Sequence, residues 1–134
     1  MSIDMTDRPF GCPPDIVLDI PIPPSVNKAR KIHWASHREV QSWQKRTDIL
    51  LIATKQCRGQ KKVQGRYELH ILIDEAQTRC DLPNLEKLTT DYLVSREILK
   101  DDAPAYLRKL VMEWTDSERA PNGLRVIVKP IEGA

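Results

Sequence analysis

The apolar residues fall into short clusters, and the spacing within each cluster predicts an element. Ile16 to Ile22 (IVLDIPI) is apolar, rich in β-branched residues, and ends at Pro23-Pro24. This pattern predicts a strand, and Pro21 inside it favours a sheet edge or a strand end, where a missing N–H does no harm. Pro23-Pro24-Ser25-Val26-Asn27 then forces an extended turn. Val40, Trp43, Leu50 and Leu51 follow at near-helical spacing, behind a Ser36-His37-Arg38-Glu39 match to a capping box. They predict a helix from about Ser36 to Cys57, stopped near Gly59, with His33 ahead of it and a basic loop over Arg58 to Lys62. Tyr67 to Asp74 (YELHILID) alternates in part and predicts a second strand. Pro83 suits the first position of a second helix, which runs to about Glu97. Leu107 to Trp114 and Leu124 to Lys129 complete the strands, with Pro121-Asn122-Gly123 between them predicting a hairpin connection. Trp43 and Trp114 sit on apolar faces and are expected in the core.

Strand, helix, strand, helix and two strands predict an α+β fold, a mixed sheet with two main helices. The chain has 134 residues, which suits one domain. Residues 1–14 are polar, contain Gly11, Pro13 and Pro14, and are expected to be a flexible leader to a single domain over 15–134. Composition changes this little: 40% hydrophobic and 30% charged residues are an ordinary globular balance. No run approaches the roughly 18 consecutive apolar residues of a membrane helix, and no secretion signal opens the chain, so a cytoplasmic protein without membrane contact is expected. Cys12, Cys57 and Cys80 form no CxxC pair and suggest neither a disulfide framework nor a zinc ribbon.

Net charge is only +2, but its distribution is uneven. Lys28 to Lys62 holds ten Lys or Arg against two acids, leaving eleven bases against seventeen acids elsewhere. That segment is either a phosphate-binding surface or a basic amphipathic helix that is merely soluble. His33 and His37 are four apart. No HExxH motif and no four-ligand set accompanies them, so they do not point to zinc. They suit contact with DNA beside Lys28, Arg30, Lys31 and Arg38. Trp34 either stacks on an opened base or packs on the core. With five glycines and no glycine-rich loop, no nucleotide cofactor is expected.

The chemistry-bearing stretch is Cys80-Asp81-Leu82-Pro83-Asn84-Leu85-Glu86-Lys87, continuing through Asp91 to Lys100-Asp101-Asp102. On a helix each residue advances about 100°, so Asn84, Lys87 and Asp91 share a narrow face. Leu85, Leu88 and Tyr92 form an adjoining apolar stripe, and Lys87 and Asp91 can pair. Asp81 lies just before the helix and Asp101-Asp102 just beyond it. Carboxylates gathered this way suit a hard divalent cation, which can acidify a water and stabilise charge on a phosphate. A nearby lysine can neutralise a departing oxygen. Asp81 and Asp102 are the candidate metal ligands and Lys87 the candidate cation. The bland alternative is a helix start favoured by its dipole, a common acidic turn and an exposed ion pair.

These residues resemble the RusA family of Holliday-junction resolvases. Pro23-Pro24-Ser25-Val26-Asn27 is similar to the family's PPSxN. Asp81-Leu82-Pro83-Asn84-Leu85-Glu86-Lys87 is similar to its DxDNxxK, and Asp91-Tyr92-Leu93 followed by Asp101-Asp102 to its D-x-L and DD. Order and spacing agree over roughly residues 16 to 130. The resemblance implies an intertwined homodimer that cuts opposing strands of a four-way DNA junction with Mg2+ or Mn2+. It also implies a phage or prophage type of protein acting in DNA recombination or repair. By position, Asp81 and Asp102 are metal-binding catalytic carboxylates and Lys87 the catalytic lysine. Asn84, Asp91, Asp101 and Glu86 support them, and Asn27, Lys28, Arg30, Lys31, Arg38 and Arg79 contact DNA. The chain departs from the pattern at Pro83, where the family has a second Asp, and at Cys80, where an Arg is frequent. Glu86 is the replacement at hand, yet on an ideal helix it points about 140° from Asp91 and would need a distorted helix start to join the site. The departure keeps open a second expectation, a catalytically weak or inactive protein that binds branched DNA on the same fold.

Overall fold

A computed structural model describes residues 15–24, 33–56, 62–78 and 82–131, with side chains of the two helices described from Arg38 and Leu85 onward. The elements are β1 (Ile16–Pro21), α1 (His33–Thr54), β2 (Tyr67–Asp74), α2 (Leu82–Ser95), β3 (Leu107–Thr115) and β4 (Gly123–Pro130). The fold is α+β, two helices and one four-stranded mixed sheet in the order β1-β4-β2-β3. β4 runs antiparallel to both β1 and β2, whereas β2 and β3 are parallel.

One sheet face makes the core. Tyr67, Leu69, Ile71 and Ile73 alternate along β2 and are fully buried. They meet Leu124, Val126 and Val128 of β4, and Ile16, Leu18 and Ile20 of β1 complete the layer. α1 adds Trp43 and Leu51, and α2 adds Leu85, Tyr92 and Leu93. The expected stripe on α2 is present, with Leu85 and Tyr92 buried and Leu88 half-buried.

The predicted hairpin between β3 and β4 does not form, because β4 inserts between β1 and β2. The physical reason lies in the two sequences. β4 buries Leu124, Val126, Val128 and Pro130 and pairs along its length with both β1 and β2. β3 carries Arg108, Lys109 and Glu113 exposed, which fits an edge and deters further pairing. Trp114 is consequently not a core residue: it sits on that edge, 42% exposed, with Leu110 at 41%. The turn itself stands where Pro121-Asn122-Gly123 placed it. Gly123 takes φ +114°, and a Cβ there would lie 2.6 Å from Ile22 Cγ1.

The helix boundaries differ in instructive ways. α1 begins at His33, so Ser36 and Glu39 lie inside it and the capping-box match does not mark its start. It ends at Thr54, ahead of Gly59, because Lys55 adopts φ 60° and closes a Schellman motif through Gln56 N–H to Leu51 O (3.1 Å) and Lys55 N–H to Ile52 O (3.2 Å). Gln56 is then drawn to β1, where its side chain accepts from Asp19 N–H (2.6 Å) and donates to Asp19 O (2.9 Å). This amide satisfies backbone groups on the outer edge of β1. α2 ends in the same motif, with Glu97 at φ 62° and Ile98 N–H bonded to Leu93 O (2.9 Å).

Trp43 joins the layers. Its indole N–H donates to Pro21 O (2.8 Å), and its ring meets Tyr92 edge-on at 5.3 Å. Tyr92 in turn donates to Asp48 Oδ1 (2.6 Å), and Arg96 grips the same carboxylate through Nε (2.9 Å) and Nη2 (3.1 Å) while lying over the Tyr92 ring. Hydrogen bonds from the Arg96 guanidinium hold the Asp48 carboxyl below its ordinary value, against a partial opposing effect of burial.

Two outcomes follow. Gly123→Ala is expected to lower stability by about 2 to 4 kcal/mol in urea unfolding, from φ strain and the contact with Ile22. Asp48→Ala is expected to cost about 1 kcal/mol near neutral pH, a modest figure because the pair is one-third exposed. Asp48 has a depressed folded pKa, so its contribution is present above 3.8 and is lost as pH falls through the folded value. Unfolding curves of the two proteins are therefore expected to converge in acid.

Candidate active site

The acidic turn lies between α2 and β3, and the segment before β2 holds it. Val63 N–H donates to Ile98 O (2.9 Å), Lys100 N–H to Val63 O (3.1 Å), and Tyr67 N–H to Tyr106 O (2.9 Å). The Tyr67 hydroxyl, on a fully buried side chain, donates to Asp101 O (2.8 Å). Asp101 Oδ1 accepts from the Asp102 N–H at 2.8 Å. That bond occupies one oxygen of the Asp101 carboxylate with the backbone.

The Tyr67 hydroxyl feels charge from both the acidic turn and α2. Burial pushes this phenol well above its ordinary value, and the negative charges of Asp102, Asp101 and Glu86 push it the same way. Asp101 and Asp102, expected at the site, are adjacent in the turn, and the charge of Glu86 on α2 adds to theirs at this hydroxyl. α2 runs unbroken from Leu82 to Ser95, so Glu86 sits on a regular helix, and its charge acts on the Tyr67 hydroxyl. Asp91 is exposed on the same helix and paired with Lys87. Thr90, on α2, donates to Glu86 O and Oε2, both at 2.9 Å, and steadies that side chain.

Lys87 and Asp91 form the expected pair, Nζ to Oδ1 3.5 Å, with Lys87 70% exposed. Lys87 is therefore an exposed surface cation, whose partner among the described residues is Asp91. Arg38 is exposed on α1. It begins an outward stripe with Lys45 and Arg46 that ends in the exposed Ile49 and Ile52. Asp81, Asn27, Lys28, Arg30, Lys31 and Arg79 lie outside the described residues, as does the side chain of Asn84. Among the described residues no three His, Cys, Asp or Glu side chains are grouped to hold a metal ion. Nor is any helix among them long and apolar enough to cross a membrane.

The sequence reading missed two residues here, Tyr67 and Thr90. Tyr67 reads as an ordinary strand aromatic. Its one distinguishing signal is a hydroxyl that must find a partner when the ring is buried. Thr90 sits four residues after Glu86, a spacing that permits their contact. No protein-family model matches the chain, and no curated protein matches it.

Asp91→Ala is expected to change stability by no more than about 0.5 kcal/mol in thermal or urea unfolding, because an exposed i,i+4 pair contributes little. Any larger loss of function in that variant then belongs to the chemistry of the site rather than to the fold.

Proposed function

We propose that this chain is a single-domain, RusA-like, Mg2+- or Mn2+-dependent endonuclease that cuts four-way or other branched DNA as an intertwined homodimer. The observation that carries the reading is the acidic turn itself, where the Tyr67 hydroxyl holds Asp101 O and Asp101 Oδ1 holds the Asp102 N–H, with Asp102, Asp101 and Glu86 all adding negative charge at that hydroxyl. Asp81 and Asp102 would hold the cation, and Glu86 would stand in for the acid that Pro83 removes. The donor set is all oxygen, which fits a hard divalent ion. When bound, the ion supplies an acidified water and a positive charge beside the phosphate. Lys87, exposed and loosely paired, is free to approach the phosphate or the leaving oxygen. Asn84 and Asp91 support this arrangement, Asp91 by steering Lys87.

The basic face of α1, with Arg38, Lys45 and Arg46, suits the DNA backbone. Asn27, Lys28, Arg30, Lys31 and Arg79 would extend the contact. A two-fold dimer suits a junction, since paired cuts need paired sites. The outer edge of β3, with Leu110 and Trp114 exposed, is a surface a second copy could cover. Pro83 favours one further reading, a weak or inactive binder of branched DNA on the same fold.

A nicking assay on a synthetic four-way junction with Mg2+ and then Mn2+ separates the two. Cleavage by the wild-type chain is expected, with Asp102→Asn and Glu86→Gln slower by on the order of 100-fold while junction binding is retained. Salt-dependent binding with no cutting in either metal would select the binder instead. Absence of both would remove DNA from the account.

A further inference from the structure

The acidic turn carries Asp102, yet it belongs to neither α2 nor β3. Three bonds that fasten it to the segment 63–67 join backbone to backbone and lie before or after the acidic pair. A further bond comes from a side chain and lands on the pair itself: Tyr67 Oη–H donates to Asp101 O at 2.8 Å. The amide on the other side of that same peptide unit, Asp102 N–H, is held by Asp101 Oδ1 at 2.8 Å. Carbonyl, amide and the Asp102 Cα lie in one rigid plane. Fixing both polar ends of the plane fixes the direction in which the chain enters Asp102.

Tyr67 is well placed to impose this. Its ring is fully buried at the start of β2, and its own N–H is bonded to Tyr106 O at 2.9 Å. The strand register also slips by one residue here: Tyr67 faces Leu107, whereas Glu68 faces Lys109. Such irregularities re-aim side chains beside sites. Packing alone does not require the hydroxyl, because a phenylalanine would fill the same core position.

We infer that Tyr67 is a positioning residue, whose hydroxyl fixes the Asp101–Asp102 peptide and so presents the Asp102 carboxylate for cation binding. The inference rests on the metal-dependent nuclease reading above. Groups that orient a metal ligand typically change affinity by about 10- to 100-fold when removed.

The test compares the full wild-type chain with Tyr67→Phe in two measurements: calorimetric titration with Mn2+ alone, and cleavage of a four-way junction across Mn2+ concentrations. Tyr67→Phe is expected to raise the Mn2+ dissociation constant and the half-maximal Mn2+ for cleavage by about 10-fold, with the rate at saturating Mn2+ kept within about 3-fold. Val128→Ala, a core truncation, serves as a destabilised control and is expected to leave the Mn2+ dependence unchanged. Asp101→Ala frees the other side of the same peptide unit and is expected to weaken Mn2+ binding too, which keeps the question open to measurement if Tyr67→Phe does not fold. Wild-type and Tyr67→Phe proteins with the same Mn2+ affinity and the same cleavage profile would overturn the inference and leave the nuclease reading intact. A wild-type chain that neither binds Mn2+ nor cuts overturns both.

Discussion

β2 and β3 lie side by side and run in the same direction. Parallel neighbours cannot be joined by a tight turn, so the chain must leave the end of β2, cross the sheet and return to the end where β2 began. α2 makes that crossing, and burial of Leu85, Tyr92 and Leu93 holds it against the sheet. The return segment is irregular and contains the acidic pair. It must be fastened to something, and the residues just before and at the start of β2 do so. The candidate site is thus a consequence of strand direction: the crossover brings Asp101 and Asp102 back to Tyr67, where Glu86 of α2 also acts.

The strand order gives the same constraint a stable frame. β4, paired along its length to β1 and β2, occupies an interior position, and the two edges are treated differently. Gln56 caps backbone groups of β1, while β3 keeps Leu110 and Trp114 exposed along with charged neighbours. Both helices end with a residue other than glycine at positive φ, Lys55 and Glu97. Such endings carry local strain that tertiary contacts must offset. At Gln56 the offset is the bond to β1, and at Ile98 it is burial in the core. The sheet therefore decides where the helices stop as much as their own residues do.

Within the site, polar partners divide the work among similar side chains. Asp101 and Asp102 are adjacent acids, yet an oxygen of Asp101 is engaged with the backbone and its carbonyl with Tyr67. Glu86 and Asp91 share one helix, yet Glu86 is steadied by Thr90 near the acidic turn and Asp91 is drawn to Lys87 on the surface. Residue type alone could not separate these pairs. Hydrogen-bond partners contributed by other segments do.

Much of this was legible beforehand, and for a local reason. Alternation in YELHILID and the β-branched runs named the strands, and apolar spacing named the helices, because one face of each element must be buried wherever it packs. The Lys87–Asp91 pair followed from helical geometry alone. Ser36, Trp114 and the Pro121-Asn122-Gly123 turn misled in part, since each is a local signal whose meaning depends on neighbours distant in sequence. A cap motif does not stop a helix from starting earlier, an apolar strand residue is buried only if another layer covers it, and a turn does not pair the strands it joins. What the residues by themselves determined is the set of elements, the two-helix mixed-sheet class and the acids worth attention. Only the tertiary structure decided that β4 comes between β1 and β2, that Trp114 faces outward, and that Tyr67 meets the acidic turn. Those outcomes depend on hydrogen bonds and burial between segments dozens of residues apart, which no local pattern encodes.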